Sequence, residues 1–440
     1  MKPSVKQLAE LATPFASVAD ELTVIGQDFP WLNNLRQQAL EQFNSQGLPS
    51  KKVEDWKYTS LWDFAQQTFI HDAAANAVTA SQSAQLALLE DAYRLVIVDG
   101  VYSSELSQLK DMQVGLTLSS LSTGVEQVQQ QLGQQVDVAK AGLTALNTML
   151  MNDGVVITVS ANTEIAKPIE LLVINSGQTE NLAVHLRNVI VMEKNSKATF
   201  IEHYVSLNAQ VSMTNVVTEV VLEESAELHH YKLQQESENA FHIATLAAKQ
   251  AAKSKWHTNN ISLGAKLARN DIHSQLEGEH SHTTMDGLYL VNNNQHVDNH
   301  TRIDHLVPNT TSDELYKGVL DGNSHAVFNG KVMVHKDAQK TNSNQKNQNL
   351  LLSRGCEIDT KPEMEIYADD VICGHGSTVG QIDQDQLFYL RARGLDEVSA
   401  RSLLTFAFAV DVLERIPSTD IRQALSNVIE QRLPRGGVAA

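Results

Sequence analysis

Between residues 169 and 361 this chain carries one proline, Pro308, in a stretch of short, β-branched and often alternating segments. Proline removes a hydrogen bond from a sheet ladder, so a stretch this long and nearly free of it is compatible with continuous sheet. The segments "GVVITVSANTEIAKPIELLVIN", "HLRNVIVMEKNSKATFIEHYVS" and "VVTEVVLEESAELHHYKLQ" are built alike, with turn residues between apolar runs. Weak internal repetition runs through them. "VIVMEKNSKATF" and "VVLEESAELHHY" share a V-[MLV]-E-x-[NS]-[SA] turn thirty residues apart, and "LEGEHSHTTMDGLYLV" and "LDGNSHAVFNGKVMV" share L-[ED]-G, a later [DN]-G and a closing Val. Short strands with turns at similar spacing indicate a mainly β stack. Because the units recur along the chain, a β-helix is favoured over a sandwich.

The flanks read differently. "SVKQLAELA" and "WLNNLRQQALEQF" place apolar residues at helical spacing, and Gly47 and Pro49 stop the second. "KKVEDWKYTSLWDF" then brings Trp56, Tyr58 and Trp62 close together, an aromatic anchor for the N-terminal helices. Beyond residue 383, Asp383 and Gln386 have capping-box spacing, Asp396 can cap the next helix, and Pro417 ends it. In "RSLLTFAFAVDVLERI", Leu403, Phe406, Val410 and Leu413 form one apolar stripe, and Leu404, Phe408, Val412 and Ile416 form a second. The stripes lie on different sides of a helix, so one packs on its own domain and the other needs a second partner. That partner is either Ser418–Leu433 of the same chain or another subunit. The expected division is a helical or mixed region over 1–150, a β-helix core over 151–383 and a helical domain over 384–440.

Charge narrows the partners. With 34 Lys+Arg against 52 Asp+Glu the net charge is −18, which disfavours nucleic acid or an anionic membrane as the main partner. The N-terminal "MKPSVKQLAELATPF" lacks the apolar core of a signal peptide, and no apolar run reaches transmembrane length. A soluble, cytoplasmic protein is the expectation. Two cysteines, Cys356 and Cys373, make neither a disulfide framework nor a CxxC metal site. Fifteen of the sixteen histidines lie between His185 and His375, densest in "HVDNHTRIDH", where the spacing of His296, His300 and His305 puts the rings on no single face of a strand. No GxxxxGK[ST] occurs, and Gly374, Gly376 and Gly380 miss the dinucleotide fingerprint by one residue, so this chain is not expected to bind or hydrolyse a nucleotide.

One short run holds more chemistry than the rest. In "DVICGHG", if extended, Cys373 and His375 project from the same face while Ile372 points the other way. Gly374 and Gly376 leave bare backbone beside the histidine, where another surface can approach. Side-by-side projection suits two groups facing outward to something shared, better than a nucleophile with its base. Two residues do not complete a metal site, so the missing ligands come from elsewhere, or the pair is a buried cysteine and a turn histidine.

"YADDVICGHGSTVGQIDQDQLFYLRARGL" resembles the signature of the SufD family, a subunit of the Suf iron–sulfur cluster assembly machinery. "GLPSKKVEDWKYTSL", "YKGVLDGNSHAVFNGKVMV" and "TNSNQKNQNLLLSRGCEIDTKPEMEIYADDV" match in family order and span most of the chain. The paralogous SufB proteins usually bring more cysteines. The resemblance implies a right-handed parallel β-helix between helical N- and C-terminal regions. It implies a non-enzymatic scaffold that pairs with SufB through the β-helices and docks SufC ATPases on its C-terminal helices, where Leu404, Phe408, Val412 and Ile416 offer a face. The resemblance further implies a transient iron–sulfur cluster at the SufB interface and, carried over by position, puts the family's cluster-site histidine on His375, with Cys373 beside it as ligand or support. ATP hydrolysis belongs to SufC, sulfur arrives through SufB, and a flavin associated with such complexes has no recognisable site here. The alternatives are a SufB-like homodimeric scaffold and a β-helix enzyme acting on polysaccharide.

Overall fold

The computed structural model describes residues 15, 18, 25–73, 78–137 and 141–434; the helix expected over "SVKQLAELA" lies outside them. The centre is a parallel β-solenoid of about eight turns, made of a ten-stranded and a nine-stranded sheet. Each turn gives one strand to each sheet, so register partners recur at nearly constant spacing. Leu182 pairs with Ser212, Met213 with Phe241, Phe241 with Leu267, Leu267 with His296, His296 with His325 and His325 with Glu357, steps of 26 to 32 residues. Strands from upstream of residue 151 join as well. Tyr93–Val98 runs parallel to Ile169–Asn175, and Leu116–Ser120 closes the other sheet antiparallel to Val155–Val159.

The corners explain the first sequence repeat. Asn162, Asn195, Ser225, Lys253, Asn309 and Lys340 all have φ between 57° and 62°. Each donates its backbone N–H to a carbonyl of the next turn, at 2.6–3.0 Å. Left-handed backbone is cheapest for Asn and Gly, and Asn fills three of these six corners; "EKNS" and "EESA" mark equivalent corners one turn apart, with Asn195 and Ser225 in the same conformation. The second repeat has another origin. Leu276 ends a strand of the nine-stranded sheet and Leu320 a strand of the ten-stranded one, so "LEG" and "LDG" mark unlike corners one and a half turns apart.

Alternation decides what each face buries. Inward-facing Leu186, Val216, Phe200, Leu228, Trp256, Met285 and Phe328 belong to one continuous core between the sheets. The outer faces are covered by the flanks. The helix Pro30–Gln46 and the segment through Trp56, Leu61 and Phe64 pack with Gly142–Leu150 on Met213, Phe241 and Leu267. Trp56 is the anchor expected of that aromatic cluster; its ring lies 4.3 Å from the guanidinium of Arg269. The C-terminal helices Glu397–Val410 and Thr419–Arg432 cover Tyr231, Ile261, Leu288 and Leu315 of the opposite sheet. Strands covered on both sides are buried throughout, as Leu182–Met192 is. Among the described residues no turn follows the last two strands, Glu357–Ile366 and Ile372–Gly380; the first is half-buried and the second largely exposed. Among the described residues no helix is long and apolar enough to cross a membrane.

Candidate functional site

The strand Ile372–Gly380 is the outermost of its sheet and, among the described residues, pairs with Asn342–Leu351 alone. Its register sets the direction of every side chain. Cys373 stands opposite Ser343 and His375 opposite Gln345, and both partners are buried on the inner face. Cys373 and His375 therefore share a face, and Ile372, on the other side, is 74 % exposed. The shared face differs from the outward presentation expected of them. It is the solenoid's interior, opened to solvent because no further turn closes it, and His375 is exposed there.

Cys373 is partly buried beside Val332, Val334, Ala338 and Ala368, with Met364 from the opposite sheet. That burial pushes its thiol above the ordinary range, against a smaller opposing hydrogen bond at Ser343, so the protonated form is favoured at neutral pH. His375 instead ends an inner-face column running through Phe200, His230, Thr258, Met285, Glu314 and Gln345 in register. Gln345 Nε2 donates to Glu314 Oε2 at 2.6 Å. Gln345 Oε1 has no partner among the described residues, and the next position in the column is His375. Burial raises Glu314 to about 7, with the Gln345 bond working against it. Glu314 and Gln345 were not among the expected site residues. The thirty-one-residue step between them, followed by thirty to His375, is the period of the first repeat, and extending that period would have found them.

The glycines of this strand have no internal explanation. A Cβ built at Gly374, Gly376 or Gly380 would meet no atom within 4 Å. Glycine weakens a strand by about 0.5–1 kcal/mol relative to alanine, and nothing in the chain's own packing requires it here. The room is on the outside, where a second surface can lie against bare backbone.

The other expected residues fall elsewhere. Cys356 donates its thiol to Ser353 O at 3.0 Å and packs against the core. His296 and His300 lie on an outer face and His305 on the inner one, between Thr310 Oγ1 at 2.8 Å and Ser312 Oγ at 3.0 Å, so the three rings do not converge. Val412 and Ile416 are buried with Leu425 and Ile429 against the solenoid. Leu404 and Phe408 are half-buried beside Val319, Leu350 and Ala400. These four therefore line the helix's contact with its own chain, the first of the two partners expected for that stripe, and Thr419–Arg432 supplies much of the cover. Among the described residues, the large apolar side chains exposed in this region are Phe388 at 74 %, Tyr389 at 56 %, with Arg393 over its ring, Leu403 at 47 % and Val398 at 46 %. Lys317 Nζ donates to Phe408 O at 3.2 Å, and Arg415 reaches Asp286 at 2.9 Å and Asp313 at 2.7 Å, tying the helices to the sheet.

Comparison with known proteins agrees with this architecture. The family profile for the SUF system FeS cluster assembly SufBD core domain matches residues 173–408, and that for the SufBD protein N-terminal region matches residues 15–171. The chain is 34 % identical to an iron–sulfur cluster assembly SufBD family protein of Synechocystis, over 96 % of each chain. It is 34 % identical to the iron–sulfur cluster assembly protein SufD of Escherichia coli, over 91 % of this chain and 93 % of that one. With SufD of Bacillus subtilis it shares 26 % identity over 92 % of this chain and 95 % of that one. A solenoid with an open, glycine-lined last strand, and relatives matched along nearly their whole length, lead to one conclusion: this chain belongs to the SufBD family of iron–sulfur cluster assembly proteins.

Proposed function

We propose that this chain is a non-catalytic, cytoplasmic scaffold subunit that pairs with a SufB chain at the open end of its solenoid and docks the SufC ATPase on its C-terminal helices. The observation that carries the reading is the last strand: His375 at the mouth of the interior, beside glycine backbone that its own chain leaves bare. An edge strand has unpaired backbone groups that a second strand satisfies directly. The nascent iron–sulfur cluster is the cargo. Imidazole can replace thiolate as a ligand to such a cluster, so His375 contributes one ligand and SufB contributes thiolates. Gln345, next in the column, has a carbonyl oxygen free to accept from the imidazole N–H and fix which nitrogen faces the cluster. Cys373 supports the histidine; its raised thiol is a poor ligand until a metal displaces the proton. The exposed apolar side chains of Phe388, Tyr389, Val398 and Leu403 offer SufC its surface, and nucleotide-driven movement of SufC opens the interface that completes the site.

His375→Ala, co-expressed with SufB and SufC, is expected to leave the complex intact by size and mass while abolishing cluster formation followed by visible absorption. Wild-type cluster yield from the variant would remove His375 from the site. A complex containing two copies of this chain and no SufB would replace the heterodimer with a homodimeric scaffold.

A further inference from the structure

The outer face of the nine-stranded sheet holds a cluster that the scaffold function leaves unused. His325 and Glu357 are register partners at the starts of adjacent strands, and Asp359 lies two residues beyond Glu357, on the same face. His325 Nε2 stands 2.8 Å from Asp359 Oδ2. One ligating atom from each of the three residues lies within 4.8 Å of the other two. His296, in the preceding turn, packs edge-on against the His325 ring at 4.5 Å and 81°, and its own Nε2 is hydrogen-bonded to Thr59 Oγ1 at 2.8 Å. The His325 imidazole is thus braced from the side away from the carboxylates.

Charge singles this cluster out. Along the same face, Asp271 and Asp298 are paired with Arg269, Asp304 with Arg302, Glu365 with Lys331, and Glu54 and Glu363 with Lys361. Among the described residues, Glu357 and Asp359 have no lysine or arginine in ion-pair contact; Asp359 has only His325. A second trio, Glu227, His229 and His257, meets the same distance test but fails on chemistry. Glu227 is already held by Lys197 at 3.2 Å and Lys255 at 3.8 Å. The rings of His229 and His257 stack at 4.7 Å and 7°, so their in-plane lone pairs run parallel and do not converge on one point.

We propose that His325, Glu357 and Asp359 bind a divalent first-row transition metal ion. One imidazole nitrogen and two carboxylate oxygens form a borderline donor set of the kind Zn²⁺ and its neighbours accept. With metal–ligand bonds of about 2.0–2.1 Å, tetrahedral ligands sit about 3.3 Å apart, so a movement of under 1 Å turns the His325–Asp359 hydrogen bond into shared coordination. Asp359 and His325 are partly buried and Glu357 is exposed, which leaves the remaining positions to water and the ion exchangeable. The site is separate from His375, which faces the interior from the other sheet.

The test is equilibrium dialysis of the full, untagged chain against Zn²⁺ in a His375→Ala background, which removes the other candidate ligand. The expected result is one Zn²⁺ per chain. Glu357→Gln with Asp359→Asn in that background should weaken binding by about 100-fold or more, since loss of outer-shell partners alone costs 10–100-fold. Both substitutions are near-isosteric at accessible positions, and unchanged circular dichroism confirms the fold. Co²⁺ in place of Zn²⁺ should give a d–d spectrum that the double substitution abolishes. Absence of Zn²⁺ binding by the His375→Ala chain, equal binding by the double variant, or loss of binding on Glu227→Gln instead would each overturn the assignment.

Discussion

At the scale of single residues, Glu314 is, with Asp286, a carboxyl that burial raises to about 7. It is fully buried in the interior column, and burial raises it from 4.5 to about 7. Between those values the folded chain keeps a proton that the unfolded chain has lost, so stability falls as pH rises through the window. Glu314→Gln keeps the shape and removes the titration. Relative to wild type, it is expected to stabilise the chain by on the order of 2–3 kcal/mol more at pH 8 than at pH 4, in urea unfolding at the two values. Asp286, raised to about 7 by burial, tilts the curve in the same sense in both proteins; the Glu314 charge contributes a minor part of that rise, so its removal relieves Asp286 and adds in the same direction. An equal difference at pH 4 and pH 8 would mean that Glu314 titrates as an exposed carboxylate. The column ends at His375, so the residue proposed to face the cluster stands next to the hydrogen-bonded pair Gln345 and Glu314, while Cys373 packs beside Val332, Val334, Ala338 and Ala368.

At the scale of elements, the last strand and the C-terminal helices are the two surfaces proposed to meet other chains. Ile372–Gly380 spends three of its nine positions on glycine at points where its own chain would tolerate a side chain. Gly376→Val puts a β-favouring side chain on the open surface. The isolated chain is expected to keep its midpoint of thermal unfolding or gain slightly. Pairing with SufB should weaken at least tenfold, read as co-purification yield or by titration calorimetry. Undiminished pairing would show that the approach to this backbone is not close. The helix Glu397–Val410 and the turn after it are held inward by Val412, Ile416 and the residues of Thr419–Arg432, each buried aliphatic side chain contributing about 1.5–3 kcal/mol. That hold leaves Leu403 and Phe388 outward. Leu403→Glu with Phe388→Glu should leave the fold unchanged and remove SufC from the purified complex while SufB stays; retention of SufC would move its docking surface elsewhere.

At the scale of the whole molecule, the solenoid is a rod with both outer faces partly covered and one end left open, the end at which association is proposed. Much of this was legible in the residues. The near-absence of proline from 169 to 361, the alternating β-branched runs and the corner motif at Asn195 and Ser225 carry the solenoid and its period. Alternation alone places Cys373 and His375 on one face and Ile372 on the other, because strand geometry makes that a local property. Three things were not legible, each for the same reason. Which face of the last strand is interior depends on a neighbour thirty residues away, Gln345. Whether Val412 and Ile416 are free depends on what Thr419–Arg432 and the sheet bring against them. The company of His325 with Glu357 and Asp359 depends on the length of the corner between their strands. Local sequence determines periodicity, capping and turn chemistry because these act within a few residues. Inside and outside, free and covered, and which histidine meets which carboxylate belong to contacts a full turn apart, and only the folded chain decides them.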